Sequence, residues 1–245
     1  GKDIGEAYQR LCIRSWLECG FRVLSINDAA EIPALEARHP DVDFVPAAQN
    51  ASAVTGRKNP YIADLLSALL ATGEQVLAIV NSDILFDPSS IWRTRIPIIV
   101  DKAVVALQRF DTYSLESGAL RRFYWGYDAF FFDKAMAGVL AESAGPFAMG
   151  LPWWDYWVPA AATFADRAFQ IVEWPITLHL SHPQGYMNRF ATLFERAFAE
   201  FVVSQAEKRP AALTSDMNQL VSLCSAWLNE QALASMREPN NTAQL

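Results

Sequence analysis

The sequence predicts an α/β fold, with a mostly parallel central sheet flanked by helices and a helical extension at the C-terminal end. Three observations predict it. Helical and strand-like segments alternate through the first eighty residues, as in doubly wound sheets. The apolar strand-like runs at 21–26 and 75–80 end abruptly in the polar tips Asn27-Asp28 and Asn81-Ser82-Asp83. Beyond Gly185 the pattern becomes helical, with Phe190, Leu193, Phe194, Ala197, Phe198, Phe201 and Val202 on one stripe.

The elements follow in order. Residues 5–19 form an amphipathic helix stopped by Gly20, and 21–26 is a buried strand. A short helix spans 31–38, a second strand 42–45, and the small polar residues of 47–58 make a loop. Asn59 and Pro60 suit the N-cap and first position of a helix carrying Ile62, Leu65, Leu66, Leu69 and Leu70, closed by Gly73. The continuous apolar run at 75–80 reads as a central strand buried on both faces. Strands are expected at 104–110, 129–132, 169–172 and 176–180. Helices are expected at 134–142, at 154–167 with a kink at Pro159, and at 213–236. The polar tail from Glu238 is expected to fray. Residues 1–185 thus form one α/β domain and 186–245 a helical extension packed on it or on a partner.

Composition narrows the function. With 245 residues, 52% hydrophobic and 19% charged, the chain buries a substantial core and is not disordered. A net charge of -7 argues against broad nucleic-acid binding, which needs a cationic stripe. Cys12, Cys19 and Cys224 lack zinc spacing and cannot all pair, which suits reduced thiols and a cytoplasmic location. The polar opening from Gly1 to Arg10 does not read as a signal peptide. The apolar stretch Ile96 to Leu107 is broken by Asp101 and Lys102, so no transmembrane span is expected, while peripheral membrane association is allowed.

Ligand sites of doubly wound sheets lie at the carboxyl ends of strands. Asp83 sits at such an end, where a carboxylate can hold a divalent ion beside phosphate oxygens; a simple turn cap is the competing reading. Asn27 and Asp28 suit ribose or base contacts, or an Asx turn. Arg57 and Lys58 are candidate phosphate or base contacts, or plain solvated charges. Asp128 opens an apolar strand, and Asp155 is wedged among Trp153, Trp154, Tyr156 and Trp157. Apolar surroundings raise a carboxylate's pKa and suit a general base, and tryptophan faces suit sugar rings; a packed aromatic core is the alternative. His179 or His182 could complete a metal site with Asp83. Phosphate-loop, G-x-G-x-x-G and G-x-S-x-G signatures are absent.

In order and content these motifs resemble the GT-A (Rossmann-like) glycosyltransferases. The resemblance covers roughly residues 5–185. It rests on Asn27-Asp28, Gly56-Arg57-Lys58, Asn81-Ser82-Asp83, Gly126-Tyr127-Asp128-x-Phe130, Gly150-Leu-Pro-Trp-Trp-Asp155 and a late histidine. It implies transfer of a sugar from a nucleotide-sugar donor to a carbohydrate or glycolipid hydroxyl, inverting and dependent on Mn or Mg. Asn81-Ser82-Asp83 stands at the family's Asp-x-Asp motif, with Asp83 as metal ligand and the first aspartate replaced by Asn81. Asn27, Asp28, Arg57, Lys58, Asn81 and Ser82 fall to the donor, and Asp128, Trp153 and Trp154 to the acceptor. Asp155 falls at the acceptor-activating acid, and His179 or His182 at the late metal ligand. The family's nucleotide-cradling first strand precedes the first helix, whereas this sequence begins at that helix. The alternative function is a catalytically degenerate GT-A-like nucleotide- or carbohydrate-binding module, which Asn81 and the unmatched first strand favour.

Overall fold

The computed structural model describes residues 2–88, 92–116, 118–182, 190–209 and 213–237. The expected boundary at 185/186 and the tail from Glu238 lie outside them. The chain divides into two compact units, Gly1–Met187 and Asn188–Leu245.

The first unit opens with α1 (Lys2–Glu18), β1 (Leu24–Asn27), α2 (Ile32–Glu36) and β2 (Asp43–Pro46). It continues with α3 (Ser52–Thr55), α4 (Ile62–Ala71), β3 (Val76–Val80), β4 (Ile84–Phe86), α5 (Trp92–Val100) and β5 (Ala103–Thr112). β6 (Arg121–Arg122), β7 (Ala129–Asp133), α6 (Lys134–Ser143), α7 (Trp154–Phe164) and β8 (Ala168–Leu180) complete it. Helices and strands interleave as the sequence predicts. Asn59 does not cap α4. Tyr61 stands at the N-cap, and the Asn59 amide instead donates to the Met149 carbonyl at 2.7 Å.

The strands form a parallel pair, β1–β2, and a six-stranded sheet of order β3-β7-β5-β8-β4, with β6 on β5. The sheet is mixed rather than mostly parallel. β5 runs parallel to β8, but β3–β7, β5–β7, β5–β6 and β4–β8 are antiparallel. A parallel pair needs a crossover of a dozen or more residues, usually a helix. No helix intervenes between β5, β6 and β7, so the chain returns antiparallel. The two strands expected at 169–172 and 176–180 are one strand, β8, with a register irregularity opposite Leu107/Arg109. Pro175 lies in that stretch, where a missing N–H is tolerated.

β5 is the spine of the sheet. Ala103, Val104, Val105, Ala106 and Leu107 are all buried. Around it pack Ile84 and Phe86 of β4, Phe131 of β7 and Ile176 of β8, with Ile96 and Val100 of α5. Phe86 and Phe131 meet at a centroid distance of 6.1 Å. A cleft of about 780 Å³ lies beside the start of β1 and along β3, lined by Val23, Leu24, Val76, Leu77 and Phe131 among others. It contains none of the candidate site residues.

The second unit contains α8 (Ala191–Lys208) and α9 (Ser215–Arg237), which pack together. Phe194, Phe198, Ala199, Val202 and Ala206 of α8 are buried.

Candidate active site

The site is built where β3, β5 and β8 end and β4 begins. β3 stops at Val80, and Asn81-Ser82-Asp83 turns into β4, with the Asn81 N–H donating to the Asp128 carbonyl at 2.8 Å. β4 pairs with β8 so that Ile84 faces His179, and β5 pairs with β8 so that Asp111 faces His179. Sheet register therefore sets His179 beside both the Asp83 turn and Asp111, although these positions lie far apart in sequence.

Asp83, His179 and His182 form a tight triangle. His182 Nε2 lies 3.3 Å from Asp83 Oδ2, His179 Nε2 lies 3.4 Å from it, and the two Nε2 atoms are 3.3 Å apart. Histidine nitrogens and carboxylate oxygens bind transition-metal ions at about 2.0–2.2 Å. Three such atoms with edges of this length can converge on one ion from one side. His179 is buried while His182 and Asp83 are open to solvent on one side, which leaves room for ligand oxygens. The Asp83 carboxyl is raised by burial, but hydrogen bonds and charge from the two histidines overcome this and hold it below the usual range. Burial lowers His179, and its bonds to Asp83 and Asp111 overcome that to raise it.

Asp155 lies in the first turn of α7. Burial first, and the charge of Asp128 second, push its pKa up to about 7. The backbone N–H groups of Asp155, Tyr127 and Tyr156 favour the ionised form but only partly offset these opposing effects. Trp153 precedes α7 with φ 76°, a left-handed conformation unusual for a side chain of this size, and its ring tilts against Tyr156 at 5.4 Å. Trp154 is only 2% exposed and stands edge-on to Phe130, and Trp157 is stacked on Phe147. Trp154 therefore belongs to the core rather than to an acceptor surface.

Asp128 is likewise turned inward. Its carboxylate takes a bond from the Asn81 amide and one from Arg109 Nη1 at 3.0 Å. Burial raises its carboxyl despite Arg109. An acceptor contact by this side chain is replaced by an internal bracing role, because both oxygens are engaged.

The first polar tip is organised separately. Asp28 Oδ1 accepts from Lys58 Nζ at 2.9 Å and from the Ala30 N–H at 3.1 Å, and Oδ2 accepts from the Asn50 amide at 3.3 Å. Lys58 first, then the Ala30 N–H, lower the Asp28 carboxyl. Asn27 Oδ1 accepts from the Ser25 hydroxyl at 2.7 Å. Arg57 and Ser82 are exposed. The fold brings Asp28 and Lys58 together, and Asp83 with both histidines.

Sequence reasoning missed Arg109 and Asp111. The signal was there: two charges spaced two apart, on one face of a strand whose first five residues are all apolar. Buried charges in such a strand demand partners.

No protein-family model matches the chain, and no curated protein matches it in sequence. Solved structures do match it in fold. One is S. aureus TarS residues 1–349 in complex with UDP-GlcNAc, with TM-score 0.59 and 10% identity, covering 88% of this chain and 67% of that one. Another is the mannosyltransferase PcManGT from Pyrobaculum calidifontis in complex with GDP-Man and Mn2+, with TM-score 0.50 and 11% identity, covering 91% and 66%. The chain thus spans about two thirds of the length of each. At this level of identity the likeness establishes a GT-A-like fold, with a central sheet flanked by helices. No helix among the described residues is long and apolar enough to cross a membrane.

Proposed function

We propose that this protein is a glycosyltransferase that moves a sugar from a nucleotide-sugar donor to a carbohydrate or glycolipid hydroxyl, with inversion. The observation that carries this reading is the convergence of Asp83, His179 and His182 at one end of a GT-A-like sheet. The two neighbouring folds were captured with UDP-GlcNAc and with GDP-Man and Mn2+, which supports a sugar-nucleotide ligand here.

The donor set fits a divalent ion. Two imidazoles and one carboxylate suit Mn better than Mg, which prefers oxygen ligands throughout. Bound there, the ion would neutralise charge on the departing diphosphate. Asn27, Asp28, Arg57 and Lys58 are the proposed nucleoside side of the site, with Asn81 holding the turn and Ser82 exposed on it. Asp155 is the proposed general base. A pKa of about 7 leaves it substantially ionised at neutral pH and basic enough to accept a proton. It takes the proton of the acceptor hydroxyl as that oxygen forms a bond to the anomeric carbon. The bond to the donor phosphate breaks, and its electron pair leaves with the nucleoside diphosphate. Trp153, half-buried beside Asp155, is the proposed acceptor contact among the tryptophans of this segment.

The test is transfer from UDP- and GDP-sugars to mixed hydroxyl acceptors with Mn2+, beside thermal shift with UDP or GDP, each with and without Mn2+. Turnover with a metal-dependent shift supports the proposal. Metal-dependent binding without turnover would favour the degenerate binding module, and the absence of both turnover and any nucleotide-dependent shift would overturn the sugar-nucleotide reading.

A further inference from the structure

We propose that Asp111 and Arg109 are positioning residues that lock the Asp83–His179–His182 triangle through a closed ring of side chains; this inference rests on the reading of that triangle as a metal site. The ring runs from Asn81 to Asp128, from Asp128 to Arg109, on to Asp111, then to His179, and back to Asp83, two residues beyond its start. Arg109 Nη1 donates to Asp128 Oδ2 at 3.0 Å. Arg109 Nε donates to Asp111 Oδ1 at 2.7 Å, with Nη2 at 3.4 Å from Oδ2. The same Asp111 Oδ1 lies 3.0 Å from His179 Nδ1.

The chemistry of each link points one way. A ligating histidine that donates one ring N–H to a carboxylate has its tautomer and ring orientation set, and its other nitrogen becomes the better ligand. Asp111 engages Nδ1, which leaves Nε2 directed at Asp83 and His182. Arg109 stands between the buried Asp128 carboxylate and the partly buried Asp111 carboxylate and offsets their repulsion. A guanidinium serves two acids at once because its donors fan out in a rigid plane. The guanidinium carbon also lies 3.9 Å from the centre of the Phe123 ring, which holds the plane from one face. Asp128 in turn fixes the Asn81 amide, so both ends of the Asn81-Ser82-Asp83 turn are braced by the same network. Asn81, standing at the first position of that turn, is thereby assigned to the frame of the site.

Mn2+ binding to the whole 245-residue chain, followed by electron paramagnetic resonance, tests this without any turnover. The wild type is compared with Asp111→Ala and Asp111→Asn, with thermal unfolding reporting that each is folded. Asp111→Ala is expected to weaken Mn2+ binding about 10–100-fold. Asp111→Asn keeps an oxygen that can accept from Nδ1–H, and is expected to stay closer to wild type. Equal affinity in wild type and Asp111→Ala overturns the positioning role alone. Absence of Mn2+ binding in the wild type overturns the metal reading, and the role built on it falls too. Should Asp111→Ala not fold, long-range 1H–15N spectra of the Zn2+-loaded wild type decide. A proton on His179 Nδ1 with the metal on Nε2 is expected, and the reverse arrangement overturns the proposal.

Discussion

Gly126 leaves open the space that the Asp155 carboxylate fills. A Cβ on Gly126 would overlap Asp155 Oδ2 and approach Cγ to 3.1 Å, and the backbone there has φ 91°. Gly126→Ala is therefore strained twice, by its dihedral and by the displaced carboxylate. We expect a loss of at least about 1–3 kcal/mol in stability and transfer activity reduced along with it. Unfolding in urea and a transfer assay check both; an unchanged midpoint would refute the packing argument.

Asp155→Asn separates chemistry from stability. If Asp155 is the general base as proposed, its loss should lower kcat by about 10²–10⁴-fold. In the wild type, kcat/KM should rise with pH through about 7, because the base works when deprotonated. The sign for stability is opposite. The folded pKa lies above the unfolded value, so the native state holds a proton that the unfolded state releases. Stability is greatest below pH 4 on this account and falls as pH rises through about 7. Asp155→Asn should remove this slope and be the more stable protein at pH 8. Unfolding of both proteins at pH 5 and pH 8 measures the difference.

Removal of a triangle member should abolish the stabilisation by metal. Mn2+ at a hundred times its Kd adds about 2.7 kcal/mol to the folded state. Asp83→Ala, His179→Ala and His182→Ala should each lose most of that rise. His182 is half exposed on its surface side, so its replacement should leave the metal-free Tm nearly unchanged. A full Mn2+ response in all three variants would remove the triangle from consideration as a metal site.

Asp133 ends β7 and caps α6. Its carboxylate accepts from the Met136 N–H at 2.6 Å and pairs with Arg167 at 3.1 Å. Asp133→Ala should cost about 1–2 kcal/mol without changing kcat once folded. Chemical denaturation and activity at saturating substrate check the two halves of this expectation.

Much of the scaffold was legible because periodicity survives in one dimension. The apolar runs behind β1 and β3, the stripe of α4 and the pattern of α8 all follow from local spacing. β4, α5 and β6 escaped notice for physical reasons. β4 has three residues and β6 two, too few for a period to emerge, and α5 carries Pro97 in its interior. The direction of the strands was also out of reach, since pairing depends on where the connections return the chain.

The sequence by itself determined the residue types at the strand ends, the acid among the tryptophans of 153–157, and the late histidines. Only the tertiary structure decided which of these meet. His179 reaches Asp83 because β8 runs between β4 and β5 in the sheet. Asp128 turns inward because Arg109, on the neighbouring strand, offers a buried counter-charge. Trp154 fills the core because Phe130 leaves an edge-on site for it. A charge or a ring takes its role from what lies across the fold, and pairing across a sheet joins positions that sequence distance keeps apart.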